Sequence, residues 1–86
     1  MYEIFVTNPA IKDLRKLDAP IAKRIDKRIQ SLRNDPRPAG CKKLTNEGDR
    51  IRIRVGDYRV IYEVSDESKT VNISRVRNRR DVYENM

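Results

Sequence analysis

Histidine is absent from the 86-residue chain, and cysteine occurs once, as Cys41. The usual nitrogen and sulfur ligands of a zinc site therefore cannot be assembled within one chain, and Ser-His and Cys-His nucleophilic pairs are excluded for the same reason. The three glycines are widely spaced and form no glycine-rich phosphate loop. Any catalysis by this chain must therefore use arginine, lysine, tyrosine and carboxylate side chains, and we expect no metal and no small-molecule cofactor.

Long apolar runs are also missing, since none approaches the ~20 residues that cross a membrane, and the N-terminus shows no signal-peptide pattern. A single cysteine excludes an internal disulfide, which suits a reducing compartment. We therefore expect a cytoplasmic protein without membrane association. The length predicts one small domain, residues 1–86, with a modest core.

Positive charge is in excess, with 20 lysines and arginines against 13 acidic residues and a net charge of +7. Such a balance predicts a polyanionic partner, which would be nucleic acid, an acidic membrane surface or an acidic protein.

The segment 50–62 predicts a β-hairpin with two unlike faces. Its first half alternates arginine with β-branched residues, which is the period of a strand, and Gly56-Asp57 supplies a two-residue turn in which glycine takes a positive φ. A turn there sets Val55 opposite Tyr58 and Arg54 opposite Arg59. One face is then apolar, and the other carries Arg50, Arg52, Arg54 and Arg59.

An all-arginine face has two interpretations. Like charges directly opposite one another in a ladder are unfavourable. The face is therefore either a solvated surface whose aliphatic stems cover apolar neighbours or a preformed anion site, because guanidinium groups converge well on phosphate.

The remaining segments predict an α+β fold. Residues 2–6 are predicted to form a first strand. Asn8 is expected to cap a helix that has Pro9 in its first turn and stops near Asp18. Pro20 starts a second helix, with Asp18 or Ala19 at its cap. Short strands follow at 41–44 and 70–76, with a polar turn at 45–49. The apolar stripe of the second helix consists of Ile21, Ile25, Ile29 and Leu32, and the basic residues off that stripe, read as a solvated face or a secondary basic patch, are Lys23, Arg24, Lys27 and Arg28.

This order of elements predicts an N-terminal strand and two helices packed on one face of a sheet of four to five mainly antiparallel strands. The first strand is expected beside the last, because hairpin connections already use the other neighbours. The arginine side of the hairpin would then be left uncovered.

A second arginine cluster lies near the C-terminus and comprises Arg75, Arg77, Arg79 and Arg80, four arginines in six positions. Because one strand and one turn separate it from the hairpin, we expect the two clusters to meet across the sheet as one anion-binding patch. Tyr83 follows, either as a core or lid residue or as a group that stacks on a base or transfers a proton.

In these features the chain resembles the RelE/ParE superfamily of bacterial and archaeal toxins, and within it the RelE-type mRNA interferases. The resemblance covers nearly the whole chain. Its marks are the opening strand followed by Leu14-Arg15-Lys16-Leu17, Lys43-Leu44 before the hairpin, Gly56-Asp57-Tyr58-Arg59-Val60-Ile61-Tyr62, and the ending Val76-Arg77-Asn78-Arg79-Arg80-Asp81-Val82-Tyr83. The segment 58–62 is shared across the superfamily and indicates the fold, whereas the arginine-rich ending closed by Asp-Val-Tyr is more specific for the RNA-cleaving branch.

The resemblance implies a ribosome-dependent endoribonuclease that cuts mRNA in the decoding site and inhibits translation. The ribose 2′-hydroxyl would be the nucleophile, without a metal, leaving a 2′,3′-cyclic phosphate and a 5′-hydroxyl. The protein would orient the sugar, stabilise the charge on phosphorus and move protons. The implied partners are the ribosome with its 16S rRNA, the mRNA and a cognate antitoxin protein.

The resemblance also implies roles for individual residues. Arg50 and Arg52 would flank the scissile phosphate, and Arg59 would stabilise developing charge. Arg79 would lie by the leaving 5′-oxygen, and Tyr83 would stack on or orient the base. The catalytic set is then Arg52, Arg59, Arg79 and Tyr83, and the set that binds RNA or phosphate is Lys43, Arg50, Arg54, Arg77 and Arg80.

The chain departs from many relatives in two places. Lysine often stands where this chain has Arg50 and Arg52, and arginine is always protonated, so the general base is Tyr83, Glu63 or a water on the ribosome. Asn78 also replaces a common histidine. Two other functions fit the sequence: a ParE-like inhibitor of DNA gyrase with the same fold, and a non-catalytic module that binds RNA or the ribosome.

Overall fold

The computed structural model of the chain describes residues 1–44 and 50–78. The elements in chain order are β1 (Glu3–Val6), α1 (Asn8–Arg15), α2 (Ala19–Ser31), β2 (Lys42–Lys43), β3 (Arg50–Val55), β4 (Tyr58–Ser65) and β5 (Thr70–Asn78). The five strands form one sheet in the order β1-β5-β4-β3-β2. β1 runs parallel to β5, and the other neighbours are antiparallel. The predicted α+β architecture is confirmed, including the place of the first strand beside the last. The predicted turn at 45–49 lies outside the described residues.

The start and the end of α1 differ from the prediction. Thr7, not Asn8, is the N-cap, and its hydroxyl oxygen accepts a hydrogen bond from the Ala10 N–H at 3.4 Å. Asn8 is already in the first helical turn. The helix ends at Arg15, short of Asp18, because the N–H groups of the next two residues donate to carbonyls three positions back, which tightens the final turn. Asp18 is the N-cap of α2, which decides between the two predicted candidates, Asp18 and Ala19.

The core lies between α2 and the sheet. Ile25 and Ile29 of α2 and its C-cap residue Leu32 are fully buried, and each buried aliphatic side chain of this size contributes about 1.5–3 kcal/mol. They pack with alternate residues of β3, β4 and β5. Tyr62 is also fully buried, and its hydroxyl donates to the Pro36 carbonyl at 2.7 Å, which ties the segment after α2 to the sheet. Burial raises the pKa of the Tyr62 hydroxyl well above its ordinary value.

A β-bulge in β5 sets the direction of the C-terminal side chains. Ile61 pairs with Arg75 and Tyr62 pairs with Ile73, so Ser74 is an extra residue. Because side chains alternate along a strand, an unbroken β5 would turn Arg75 and Arg77 toward the helices, on the side of buried Ile73. The bulge reverses this, so that Val76 is buried and both arginines turn to the other side.

Beyond the point where β1 ends, residues of α1 and its cap form hydrogen bonds with the backbone groups at the edge of β5. The Thr7 N–H donates to the Ile73 carbonyl at 3.1 Å, and the Thr7 hydroxyl lies 2.9 and 3.1 Å from the Ile73 and Ser74 carbonyl oxygens. The Val76 N–H donates to the Asp13 carboxylate at 3.0 Å. These groups replace the hydrogen bonds that a longer β1 would have made, and they hold the bulge in place.

Within the described ranges, neither helix has the length and the apolar character that crossing a bilayer requires.

Candidate nucleic-acid interface

The central feature of the uncovered side of the sheet is a row of three arginines. Arg54 pairs with Arg59 across β3 and β4, and Arg59 pairs with Arg77 across β4 and β5. Directly opposed residues of an antiparallel pair have Cβ atoms about 4.5–5.5 Å apart, so the row spans about 10 Å. The predicted meeting of the hairpin cluster with the C-terminal cluster is confirmed for Arg77.

Two further rows run parallel to this one. The next pairs Lys42 with Arg52, Arg52 with Ile61, and Ile61 with Arg75. The one after it pairs Arg50 with Glu63 and Glu63 with Asn72. We call the cationic part of these rows the arginine face, and it consists of Lys42, Arg50, Arg52, Arg54, Arg59, Arg75 and Arg77.

Lys43 does not join the arginine face. It pairs with Ile51, which is buried on the helix side of the sheet, and paired residues project to the same side. Lys43 instead lines a cavity of about 360 Å³ together with Arg37 and Asp66. Lys43 was predicted to bind RNA or phosphate together with the arginines, but the structure places it on the other side of the sheet. Lys42, which pairs with Arg52, lies beside the arginines instead. A strand of two residues is too short for alternation to show which lysine faces which side.

Arg75 is held by Asp13 of α1. Its Nε and Nη2 atoms donate to the two carboxylate oxygens at 2.8 and 3.2 Å, and Asp13 is only 9% exposed. Burial raises the pKa of Asp13, but the hydrogen bonds from Arg75 and the Val76 N–H outweigh it, so that the pKa lies below its ordinary value. The same hydrogen bond raises the pKa of Arg75. Sequence patterns offered no signal for Asp13, which lies 62 residues from Arg75.

Arg50 and Glu63 form an ion pair across the hairpin at 3.3 Å, in the register predicted from the sequence, and the two side chains are 43% and 49% exposed. A pair this exposed contributes little to stability. Its consequence is local: the charge of Arg50 is partly compensated. The longest run of directly paired arginines in the described part of the sheet is the row of Arg54, Arg59 and Arg77.

This row favours an anion site over a solvated surface. Each guanidinium offers up to five N–H donors and is permanently charged. Like charges directly opposite one another in a ladder are unfavourable, so an anion bound along the row would relieve their repulsion. Phosphate oxygens suit such donors because charge-assisted hydrogen bonds are short and strong. The row can therefore bind a phosphodiester and stabilise added negative charge on it. Arg79, Arg80 and Tyr83 lie outside the described residues, so their assigned roles remain predictions.

Comparison with known proteins gives consistent results. The family model of the ParE toxin of type II toxin–antitoxin systems, parDE, matches residues 4–83. The toxin RelG of Mycobacterium tuberculosis is 36% identical over 83 residues, which cover 95% of each chain.

Solved structures agree with the sequence matches. The RelBE2 toxin–antitoxin complex of M. tuberculosis has a chain that superposes with a TM-score of 0.81 at 32% identity, covering 90% of this chain and 96% of that one. The archaeal RelE–RelB complex of Pyrococcus horikoshii gives a TM-score of 0.80 at 30% identity, with 91% and 94% coverage. The match of the family model over nearly the whole length, together with these structures, establishes that the chain belongs to the RelE/ParE superfamily of toxins of type II toxin–antitoxin systems.

Proposed function

We propose that the protein is a ribosome-dependent endoribonuclease that cuts mRNA in the decoding site and thereby inhibits translation. The observation that carries the proposal is the row of Arg54, Arg59 and Arg77 on the uncovered side of the sheet. A sheet face without such a row could bind RNA backbone, but it would lack the concentrated positive charge that stabilises the transition state of phosphodiester cleavage.

The proposed reaction uses the substrate's own nucleophile. The ribose 2′-oxygen attacks the adjacent phosphorus, the bond from phosphorus to the 5′-oxygen breaks, and the products carry a 2′,3′-cyclic phosphate and a 5′-hydroxyl. One proton leaves the 2′-hydroxyl and one is delivered to the 5′-oxygen. Because arginine stays protonated, the base that accepts the first proton is Tyr83, Glu63 or a water on the ribosome.

The arginines would orient the phosphate and stabilise the negative charge that develops on it. Arg59, in the middle of the row, would stabilise the extra charge on the phosphate oxygens, with Arg54 and Arg77 on either side of it. Arg52 lies in the next row and would orient the same phosphate with Arg50. Arg79 would lie beside the leaving oxygen. Fixed donors that meet developing charge commonly contribute about 10²–10³ in rate each.

A cognate antitoxin is the second proposed partner. The structural relatives from M. tuberculosis and P. horikoshii are complexes of toxin with antitoxin, and a net charge of +7 suits an acidic protein that covers the arginine face. Action on ribosomes would place the protein in the cytoplasm.

The test is cleavage on programmed ribosomes, with new mRNA 5′-ends mapped after incubation with the protein. Arg59→Ala should cut at least about 10²-fold more slowly, and Arg52→Ala should also be slower. Lys23→Ala, which removes an exposed cation from α2, is the matched control and should cut at the wild-type rate. If Arg59→Ala cut as fast as the control, the assignment of this face to catalysis would be wrong.

Inhibition of DNA gyrase is a second candidate, which the match to the ParE toxin model favours. A supercoiling assay run beside the cleavage assay separates the two, because a gyrase inhibitor produces no new mRNA ends. A non-catalytic RNA- or ribosome-binding module would instead show salt-sensitive ribosome binding with neither activity.

A further inference from the structure

Phe5 is an exposed aromatic residue at the border of the arginine face. It is 46% exposed, although its neighbours in β1, Ile4 and Val6, pack against the core. Because side chains alternate along a strand, Phe5 projects to the side away from the helices. It pairs with Asn72 of β5, which in turn pairs with Glu63. Phe5 therefore continues the row of Arg50 and Glu63 to the edge of the sheet, where it takes no part in the core.

The position of Phe5 relative to the arginines suits one extended ligand. Along β5, Asn72 and Arg77 are separated by four pairing positions once the extra Ser74 is discounted, or about 13 Å at a rise of about 3.3 Å for each position. A short stretch of single-stranded RNA spans this distance. Arg75 lies on β5 between the two ends, and Asp13 uses only its Nε and Nη2 atoms, which leaves other N–H groups of that guanidinium for a ligand.

The two ends of this track differ in chemistry. At one end, Arg54, Arg59 and Arg77 form a purely cationic row. At the other end, the ring of Phe5 and the carboxamide of Asn72 are uncharged, and the neighbouring Glu63 is paired with Arg50. Phe5 and Asn72 carry no positive charge that would hold a phosphate, whereas a nucleobase suits them, because its flat face stacks on an aromatic ring and its edge exchanges hydrogen bonds with an amide.

We propose that Phe5 is a stacking platform for a nucleobase of single-stranded RNA whose backbone crosses the arginine face, and that Asn72 contacts the edge of that base. The inference deepens the proposed function and rests on it, since it names a base-binding position on the same substrate. Aromatic rings exposed on a sheet beside basic side chains are a common means of holding single-stranded RNA. Phe5 would act in binding and register of the substrate, not in the chemical step.

The direct test is binding of a fluorescently labelled single-stranded RNA, followed by anisotropy over a series of salt concentrations. Phe5→Ala should weaken binding about five- to 150-fold, the usual effect of losing one stacked base. Phe5→Leu should lose a similar amount because it keeps apolar bulk without a ring, and Phe5→Trp should retain affinity. The slope of log affinity against log salt should stay unchanged in all three, because no phosphate contact is removed. Glu3→Ala, exposed on the same strand, should not weaken binding.

The outcomes decide the proposal. Wild-type RNA affinity in Phe5→Ala would overturn it. Wild-type affinity in Phe5→Leu would overturn it as well, because an apolar side chain without a ring would then be enough for binding. Weaker binding of the antitoxin with unchanged RNA affinity would also overturn it and would assign Phe5 to a protein interface. Thermal melting of each variant checks the fold, and Phe5→Trp keeps the test valid if Phe5→Ala is unstable.

The same variants keep this inference separate from the proposed function. If wild-type protein cuts mRNA on ribosomes while Phe5→Ala binds RNA normally, only the stacking role fails. If wild-type protein produces no new 5′-ends while Phe5→Ala still loses RNA affinity, the nuclease proposal fails and the base site remains.

Discussion

Replacing Asp13 tests whether this carboxylate holds the β5 bulge and, through it, the arginine face. Asp13 is 9% exposed and accepts hydrogen bonds from Arg75 Nε at 2.8 Å, Arg75 Nη2 at 3.2 Å and the Val76 N–H at 3.0 Å. Asp13→Ala removes both acceptor oxygens and with them all three hydrogen bonds, and it leaves the N–H of the buried residue Val76 without its partner.

The expected magnitude follows from the exposure of each donor. An orphaned buried N–H costs about 1–3 kcal/mol. The Arg75 side chain is 41% exposed and can regain water, so the loss of its two bonds is discounted to about 1 kcal/mol. Asp13→Ala should therefore lower the free energy of unfolding by about 2–4 kcal/mol. Each kcal/mol should lower the Tm by about 4–8 °C in a domain of this size. Asp13→Asn keeps one acceptor oxygen and should lose about half as much.

Urea denaturation followed by circular dichroism measures these differences. Asp66→Ala is the matched control, because Asp66 also accepts two hydrogen bonds from one arginine, Arg37, but lies in the open, so its removal should change stability less. A double-mutant cycle with Arg75→Ala isolates the pair. Wild-type stability in Asp13→Ala would refute the reasoning, as would equal losses in the Asn and Ala variants, since the acceptor oxygen would then be irrelevant.

The pH dependence of Asp13 gives an independent check on the same contact. Its pKa is lowered in the folded protein, so its contribution to stability is present above the ordinary pKa of about 4 and is lost as the pH falls through the lower folded value. Wild-type protein should therefore lose stability as the pH falls below about 4, and Asp13→Asn should lose less over the same range.

Three further changes follow from single features of the structure. Tyr62→Phe removes the hydroxyl that donates to the Pro36 carbonyl and should cost about 1–2 kcal/mol in urea denaturation; no change would mean that this bond does not hold the segment after α2. Gly56→Ala should cost about 1 kcal/mol because φ is +60°. The added Cβ meets only an arginine nitrogen at 3.9 Å, so the expected cost comes from the backbone and not from a clash. Gly56→Asn should cost less because asparagine tolerates a positive φ, and an equal loss in the two variants would contradict a backbone cause. Arg77→Ala should weaken single-stranded RNA binding and reduce the salt slope by about 0.7, whereas Lys23→Ala should leave the slope unchanged.

The hairpin could be predicted in full because everything that defines its register is local. The alternation of residues 50–55 and the turn at Gly56-Asp57 lie in one continuous segment, and the observed pairs from Val55 with Tyr58 to Arg50 with Glu63 match the prediction. The same holds for the apolar stripe of α2, where a period of 3.6 residues places Ile25, Ile29 and Leu32 on one side.

The edges of the sheet could not be predicted in this way. Thr7 replaces Asn8 as the cap because its hydroxyl also reaches the carbonyls of Ile73 and Ser74 in β5. These residues are 66 and 67 positions away from Thr7 in the sequence, so no local pattern reveals the contact. Lys42 rather than Lys43 joins the arginines because pairing with β3 sets the side of each lysine. Phe5 could have been identified as outward-facing from its alternation with Ile4 and Val6, but its distance from the arginines could not.

The sequence by itself determined that this chain makes an α+β domain with an arginine-lined hairpin, because strand period, turn residues and charge are properties of short segments. Only the tertiary structure decided that Arg77 completes the row with Arg54 and Arg59. In an unbroken β5, Arg77 would turn toward the core. It faces outward because of the bulge at Ser74, which Thr7 and Asp13 hold by hydrogen bonds from the other end of the chain.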